Sequence, residues 1–182
     1  MSNVGSYHGG DKMKQVVILM GSDSDFDQLK PAAEVLKEFG VSTDIRVLSA
    51  HRTPKELVKY LGGLKEQGTK IIIAAAGGAA HLAGVCSAHT VLPVIGVPIE
   101  TKNLGGLDSL LSTVQMPGGV PVATVGIGSS GAKNAGLLAV EILALAEPGL
   151  EKKLVDYKAK MESQVHEKNE KLKKQISALG LA

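Results

Sequence analysis

Aromatic side chains are scarce in this sequence. Its 182 residues include no Trp, 3 Tyr and 2 Phe, so a core must be assembled from Ala, Val, Ile and Leu, which lets helices pack close on a sheet. The same scarcity disfavours a flavin site, where rings stack on the cofactor, and a nucleic-acid surface, where aromatics sit among Lys and Arg. Cysteine is nearly absent too. With Cys86 alone, no internal disulfide or Cys-rich zinc site can form, and that residue is expected to be a buried small hydrophobe. No apolar stretch reaches the roughly 20 residues needed to span a membrane, and residues 1–12 lack the apolar run of a signal peptide. A cytoplasmic protein with no membrane partner is expected. Excess charge is also missing from the body. The formal charge is +2, and residues 151–182 alone hold 8 Lys against 5 Asp and Glu, which leaves the rest nearly neutral and argues against nucleic acid as a partner.

What is present is an alternation of short apolar runs with helical periodicity. Gln15-Val-Val-Ile-Leu-Met20 is continuously apolar after its first residue, the pattern of a strand covered on both faces. Phe26, Leu29, Ala33, Leu36 and Phe39 then recur at helical spacing up to Gly40, with Pro31 a potential kink. A strand over 45–48 precedes a helix whose start is marked by Thr53 as N-cap, Pro54 at the first helical position and Glu56 completing a capping box. Further strands are predicted over 70–76, 94–97 and 122–127, with helices over 79–88, 107–115 and 133–146. Five strands alternating with helices predict a parallel sheet, most simply in the flavodoxin-like order 2-1-3-4-5. Three parts are expected: a flexible segment 1–13, a catalytic domain 14–148, and a helical extension 149–182 set off by Pro148-Gly149. The extension carries a narrow stripe of Leu150, Leu154, Tyr157, Met161, Val165, Leu172 and Ile176, suited either to lying on another surface or to a solvated tail.

In that strand order the loops after strands 1, 2 and 3 converge where ligands gather in open parallel sheets. The first, Gly21-Ser-Asp-Ser-Asp25, opens a helix and so offers an anion site. Ser22 and Ser24 suit a phosphate. Asp23 and Asp25 would repel it and suit sugar hydroxyls, although Ser and Asp also serve simply as helix caps. In the second loop Arg52 presents the planar fork that fits phosphate. Beside it His51 is an imidazole in a polar turn, a group whose ordinary pKa of roughly 6.5 allows proton transfer near neutrality. In the third loop Gly77 and Gly78 permit close backbone approach or positive φ. His81, among Ala and Leu, reads as a hydrogen-bonded structural residue rather than a proton carrier. No Gly-x-Ser-x-Gly elbow, ATP-binding Gly-x-x-x-x-Gly-Lys or paired-His spacing is present, so no metal and no cofactor are expected.

These loops resemble the signature of the N5-carboxyaminoimidazole ribonucleotide mutase family of purine biosynthesis. The resemblance runs through Gly21-Ser-Asp-Ser-Asp25, Ser49-Ala-His-Arg-Thr-Pro54, Ala76-Gly-Gly-Ala-Ala-His-Leu82 and Pro93-Val-Ile-Gly-Val-Pro98. It continues through Asp108-Ser-Leu-Leu-Ser112, Val114-Gln-Met-Pro-Gly118, Gly119-Val-Pro-Val122 and Gly131-Ala-Lys-Asn-Ala135. It implies a flavodoxin-like three-layer α/β/α sandwich assembled as a homo-octamer, with the terminal helices against neighbouring subunits. It also implies a small-molecule ribonucleotide substrate, held by Ser22, Asp25 and Arg52, with His51 as general acid and base. The implied site takes in Ser24, Ser49, Ala50, Gly77, Gly78, Ala79, His81 and Leu82, the Gly77–Leu82 loop lining a pocket for carbon dioxide. A related carboxylase takes carbon dioxide directly and tends to carry Lys at the position of Arg52 and a different glycine loop, so Arg52 and Gly77 to His81 favour the mutase. Phe26 and Ala83 depart from the family pattern, which often has Trp and Pro there. Neither touches the implied chemistry.

Overall fold

The protein is described by a computed structural model over residues 14–181; the segment 1–13, expected to be flexible, lies outside the described residues. Strands β1 (Val16–Met20), β2 (Thr43–Val47), β3 (Ile71–Ala76), β4 (Val94–Pro98) and β5 (Ala123–Thr124) alternate with helices α1 (Phe26–Phe39), α2 (Pro54–Leu64), α3 (Leu82–Ala88), α4 (Leu107–Val114) and α5 (Gly128–Ala144). A 3₁₀ turn (Asp23–Asp25) leads into α1, and α6 (Pro148–Ala178) follows α5. The strands form one parallel sheet in the order β2-β1-β3-β4-β5, as the alternation predicted.

Period-2 geometry sends Val17, Leu19, Ile72 and Ala74 to one face, where they cluster with Leu57, Leu61 and Leu64 of α2 and Leu82, Ala83 and Cys86 of α3. Their alternates Val16, Ile18, Ile71 and Ile73 are equally buried on the other face. Burial pushes the Cys86 thiol up to about 12, so it packs as an inert hydrophobe, as expected. On the side of α1 and α5 the helices approach so closely that a Cβ on Gly136 would lie 2.9 Å from the Ala32 carbonyl oxygen. A much tighter fit sets Gly131 against the backbone of Gly126, leaving no room for a Cβ.

Several boundaries differ from expectation. Helix α1 runs unbroken through Pro31 and ends, as predicted, at Gly40, whose φ of 78° is left-handed. Thr53 does precede α2, but its hydroxyl makes no cap bond. It accepts the Ser49 N–H at 3.0 Å and donates to the Ser49 carbonyl at 3.2 Å, so the predicted capping box is absent. The box occurs instead at the 3₁₀ turn, between Ser22 and Asp25. Three buried Leu, each contributing about 1.5–3 kcal/mol, hold α2 without the roughly 1 kcal/mol of a cap. Helix α3 starts at Leu82 rather than residue 79, because residues 78–81 form tight turns. There the Ala80 N–H donates to the Gly78 carbonyl and the His81 N–H to the Ala79 carbonyl, each at 2.8 Å. Edge strand β5 keeps only two residues of the predicted six, and α5 begins at Gly128 rather than at residue 133.

The described residues fall into two compact units that divide between Val140 and Glu141. The first holds the sheet and the three loops. In the second, Leu150 and Leu154 are buried and Lys158 pairs with Glu141 at 3.4 Å, whereas Val155, Met161, Val165 and Leu172 are exposed. No helix among the described residues is long and apolar enough to cross a membrane.

Candidate active site

The loops after β1, β2 and β3 meet, as expected, at the carboxyl ends of three adjacent strands and enclose a cavity of about 210 Å³. The second loop is braced from within: the Arg52 N–H donates to Ser49 Oγ at 3.1 Å, and the Thr53 hydroxyl clasps both polar groups of the Ser49 backbone. Ser49 is itself buried, so the turn is fixed independently of its exposed tip, His51 and Arg52. Arg52 reaches across to the first loop, where Nη2 donates to the Gly21 carbonyl at 2.7 Å. A guanidinium carries five N–H donors in a plane. One such bond therefore leaves most of the fork for a ligand.

In the first loop the Ser22 N–H donates to Asp25 Oδ2 at 3.2 Å, and Ser22 Oγ accepts from the Ser24 hydroxyl at 2.9 Å. Ser22 and Asp25 cap the turn, the simpler of the two readings of this loop, and the same two residues line the cavity. Burial raises the Asp25 carboxyl above its ordinary value, against hydrogen bonds from Ser22 and Ser24 and the charge of Arg52, which draw it down.

The third loop brings His81 onto His51. His51 Nε2 and His81 Nδ1 lie 2.7 Å apart, with the rings edge to face at 4.8 Å between centroids. At this distance one nitrogen donates and the other accepts, the direction being set by the tautomers of the two rings. The expected hydrogen-bonded role of His81 is therefore met by a partner inside the cavity. Gly77, Ala79 and Leu82 line the same space, as do Ser49, Ala50 and, beyond the predicted set, Gly21 and Ala76. Ser24 and Gly78 do not line it. Ser24 is turned to Ser22, and Gly78, at φ 66°, is turned to α4, where its N–H donates to Ser109 Oγ at 2.9 Å and its carbonyl accepts from Ser112 Oγ at 3.2 Å. Ser109 and Ser112 were not singled out in the sequence, although both stand in the Asp108–Ser112 segment.

A larger groove, of about 600 Å³, lies along β2 and α2, lined by Arg46, Glu56, Lys59 and Tyr60 among others. Its strongest polar groups satisfy one another: Arg46 and the Tyr60 hydroxyl donate to Asp44 at 2.6 and 2.7 Å, and the guanidinium lies 4.6 Å over the Tyr60 ring. Burial would raise the Asp44 carboxyl, but these bonds outweigh it and hold it below its ordinary value. That cluster is a closed ion pair at a sheet edge, without the juxtaposed His rings of the first cavity.

Sheet order and cavity position define a flavodoxin-like, doubly wound α/β protein with its crevice beyond the carboxyl ends of the strands. Within that class the chain belongs to the AIR carboxylase family, which matches residues 15–164. It is 53% identical over 160 residues to the N5-carboxyaminoimidazole ribonucleotide mutase of Thermotoga maritima, covering 88% of this chain and 92% of that one. To the Bacillus subtilis protein of the same name it is 51% identical over 157 residues, 86% of this chain and 97% of the other. The crystal structure of Treponema denticola PurE superposes with a TM-score of 0.78 at 30% identity, covering 86% of this chain and 97% of that chain.

Proposed function

We propose that this chain is a cytoplasmic enzyme of purine biosynthesis that converts N5-carboxyaminoimidazole ribonucleotide to 4-carboxy-5-aminoimidazole ribonucleotide, with His51 as the proton carrier. The observation that carries the chemistry is the 2.7 Å contact of His51 with His81 inside a cavity walled by the anion-suited first loop and the glycine loop. Ser22 and Arg52 take the phosphate and Asp25 the ribose hydroxyls. The carbamate C–N bond breaks as the His51 imidazolium gives its proton to N5, releasing carbon dioxide within the site. The electron-rich C4 then attacks that carbon dioxide, and the proton on C4 returns to the neutral His51 ring, which restores the starting state. Proton transfer of this kind is worth roughly 10² to 10⁴ in rate. Holding the carbon dioxide beside C4 makes the second step effectively intramolecular.

The test supplies the protein with N5-carboxyaminoimidazole ribonucleotide or with the decarboxylated nucleotide plus bicarbonate. Rapid product formation from the first substrate is expected. Turnover confined to the second mixture would assign direct carboxylation instead.

The cavity is small beside the roughly 300–1,000 Å³ that enclose a drug-sized ligand, so a ribonucleotide overhangs its mouth. This supports an assembly in which a neighbour covers the ligand, and the exposed stripe of α6 gives residues 149–182 a surface for such contacts beside a catalytic domain of 14–148. An octamer by light scattering is expected, and a stable monomer would remove this part of the proposal.

The Asp25 assignment has a pH signature. A carboxyl whose value in the folded protein is raised takes up its proton at a higher pH than an ordinary Asp. Only the ionised form accepts hydrogen bonds through both oxygens, so its contribution to binding is complete above that value and is lost as pH falls through it. The ratio of Asp25→Asn to wild-type dissociation constants should therefore be large at neutral pH and shrink in acid, other titrations cancelling in the ratio. A ratio independent of pH would remove Asp25 from the ribose site.

A further inference from the structure

The Gly77–His81 loop is held from behind by a helix that contributes no residue to the cavity wall. Ser109 of α4 is fully buried and has one hydroxyl proton. It donates that proton to the Ile99 carbonyl at 2.7 Å and accepts the Gly78 N–H at 2.9 Å, joining the loop after β3 to the exit of β4. Nearly one helical turn on, Ser112 Oγ donates to the Gly78 carbonyl at 3.2 Å, an oxygen that also accepts the Ala80 N–H at 2.8 Å. Both polar groups of a residue in the left-handed region are thus fixed by one helix. The helix is anchored in turn, because Thr101 Oγ1, from the segment before it, donates to Asp108 Oδ1 at 2.9 Å.

Gly77 and Ala79, on either side of Gly78, line the cavity, and His81 lies three residues further on, against His51. A shift of Gly78 therefore moves the wall and the His pair together. We propose that Ser109 and Ser112 are positioning residues, which clamp Gly78 so that the loop confines the carbon dioxide released in the site and presents His81 to His51. The proposal rests on the carboxyl migration argued above. Carbon dioxide has no charge and no net dipole, so little in a site can grip it and its retention depends on how well the walls fit.

The experiment gives N5-carboxyaminoimidazole ribonucleotide to the wild-type protein, Ser112→Ala and Ser109→Ala. It measures how much becomes rearranged product and how much is released as decarboxylated nucleotide, after subtracting uncatalysed decay. A merely structural role reduces the amount of competent enzyme and lowers both outputs in proportion. Clamping instead sets their ratio. Ser112→Ala is expected to raise the released share several-fold and to lower kcat more than it changes KM, since Ser22, Asp25 and Arg52 are untouched. Ser109→Ala is expected to do so more strongly. If Ser109→Ala fails to fold, the half-buried Ser112 decides alone, and an unchanged ratio in a rearranging background overturns the clamp. A wild-type protein that forms no rearranged product overturns the functional proposal and the clamp together.

Discussion

Replacing His51 with Asn is expected to lower kcat by roughly two to four orders of magnitude, while the dissociation constant of the ribonucleotide stays within about threefold of wild type, a change under roughly 0.7 kcal/mol. The two effects separate because the turn around His51 does not depend on its ring. Arg52 N–H bonds to Ser49 Oγ, and the Thr53 hydroxyl closes on the Ser49 backbone, so Arg52 keeps its place when the imidazole is removed. What is lost is the only group of the second loop that can give a proton to N5 and take one from C4. Asn retains polarity without exchanging protons near neutrality. Its shorter side chain also withdraws from His81, which stands 2.7 Å from His51 Nε2. Single-turnover kinetics alongside equilibrium binding would separate the two quantities. Near-normal turnover would take His51 out of the proton path.

Replacing Arg52 with Ala is expected to act on binding. A hydrogen bond to a charged group contributes about 1.5–3 kcal/mol, which corresponds to a dissociation constant weaker by roughly 10- to 100-fold. The penalty should be confined to the phosphorylated ligand and nearly vanish for the nucleoside that lacks the phosphate. That comparison matters because Arg52 also ties the first loop to the second through the Gly21 carbonyl at 2.7 Å. A loss through loop disorder alone would weaken both ligands equally. Arg52→Lys keeps the charge without the planar fork and should fall between the two. An unchanged affinity for the phosphorylated ligand in Arg52→Ala would contradict the phosphate role.

The sheet was legible because its central strands are buried on both faces. Runs such as 16–20 and 71–76 are short and rich in Val and Ile or bounded by Gly, which favours buried strands over helices at their length, and Gly40 and Pro54 mark real helix ends. Local signals failed where a side chain had a competing partner. Thr53 followed by Glu56 has the form of a capping box, yet the Thr53 hydroxyl is committed to Ser49, and Asp25 completes the box with Ser22. Strand β5 keeps only Ala123 and Thr124 on its partner β4, and Val122 and Ile127 beyond them pack towards Gly96 and Gly106, where an added Cβ would meet them at 2.8 and 2.5 Å. The three loops of the site could be read from topology, since parallel order alone brings their strand ends together. The His51–His81 contact and the Ser109 and Ser112 bonds to Gly78 could not. They depend on which way a loop turns and which face of α4 looks inward, matters settled by tertiary packing rather than by spacing.

The central claim is that the carboxyl group never leaves the site between N5 and C4. It is tested most directly with N5-carboxyaminoimidazole ribonucleotide carrying ¹³C in the carboxyl group, supplied to the protein in unlabelled bicarbonate and carbonic anhydrase. Product isolated early in the reaction should carry the ¹³C of its own substrate. A product carboxyl with the isotopic composition of the dissolved pool would show that carbon dioxide is taken from solution, and would contradict the account.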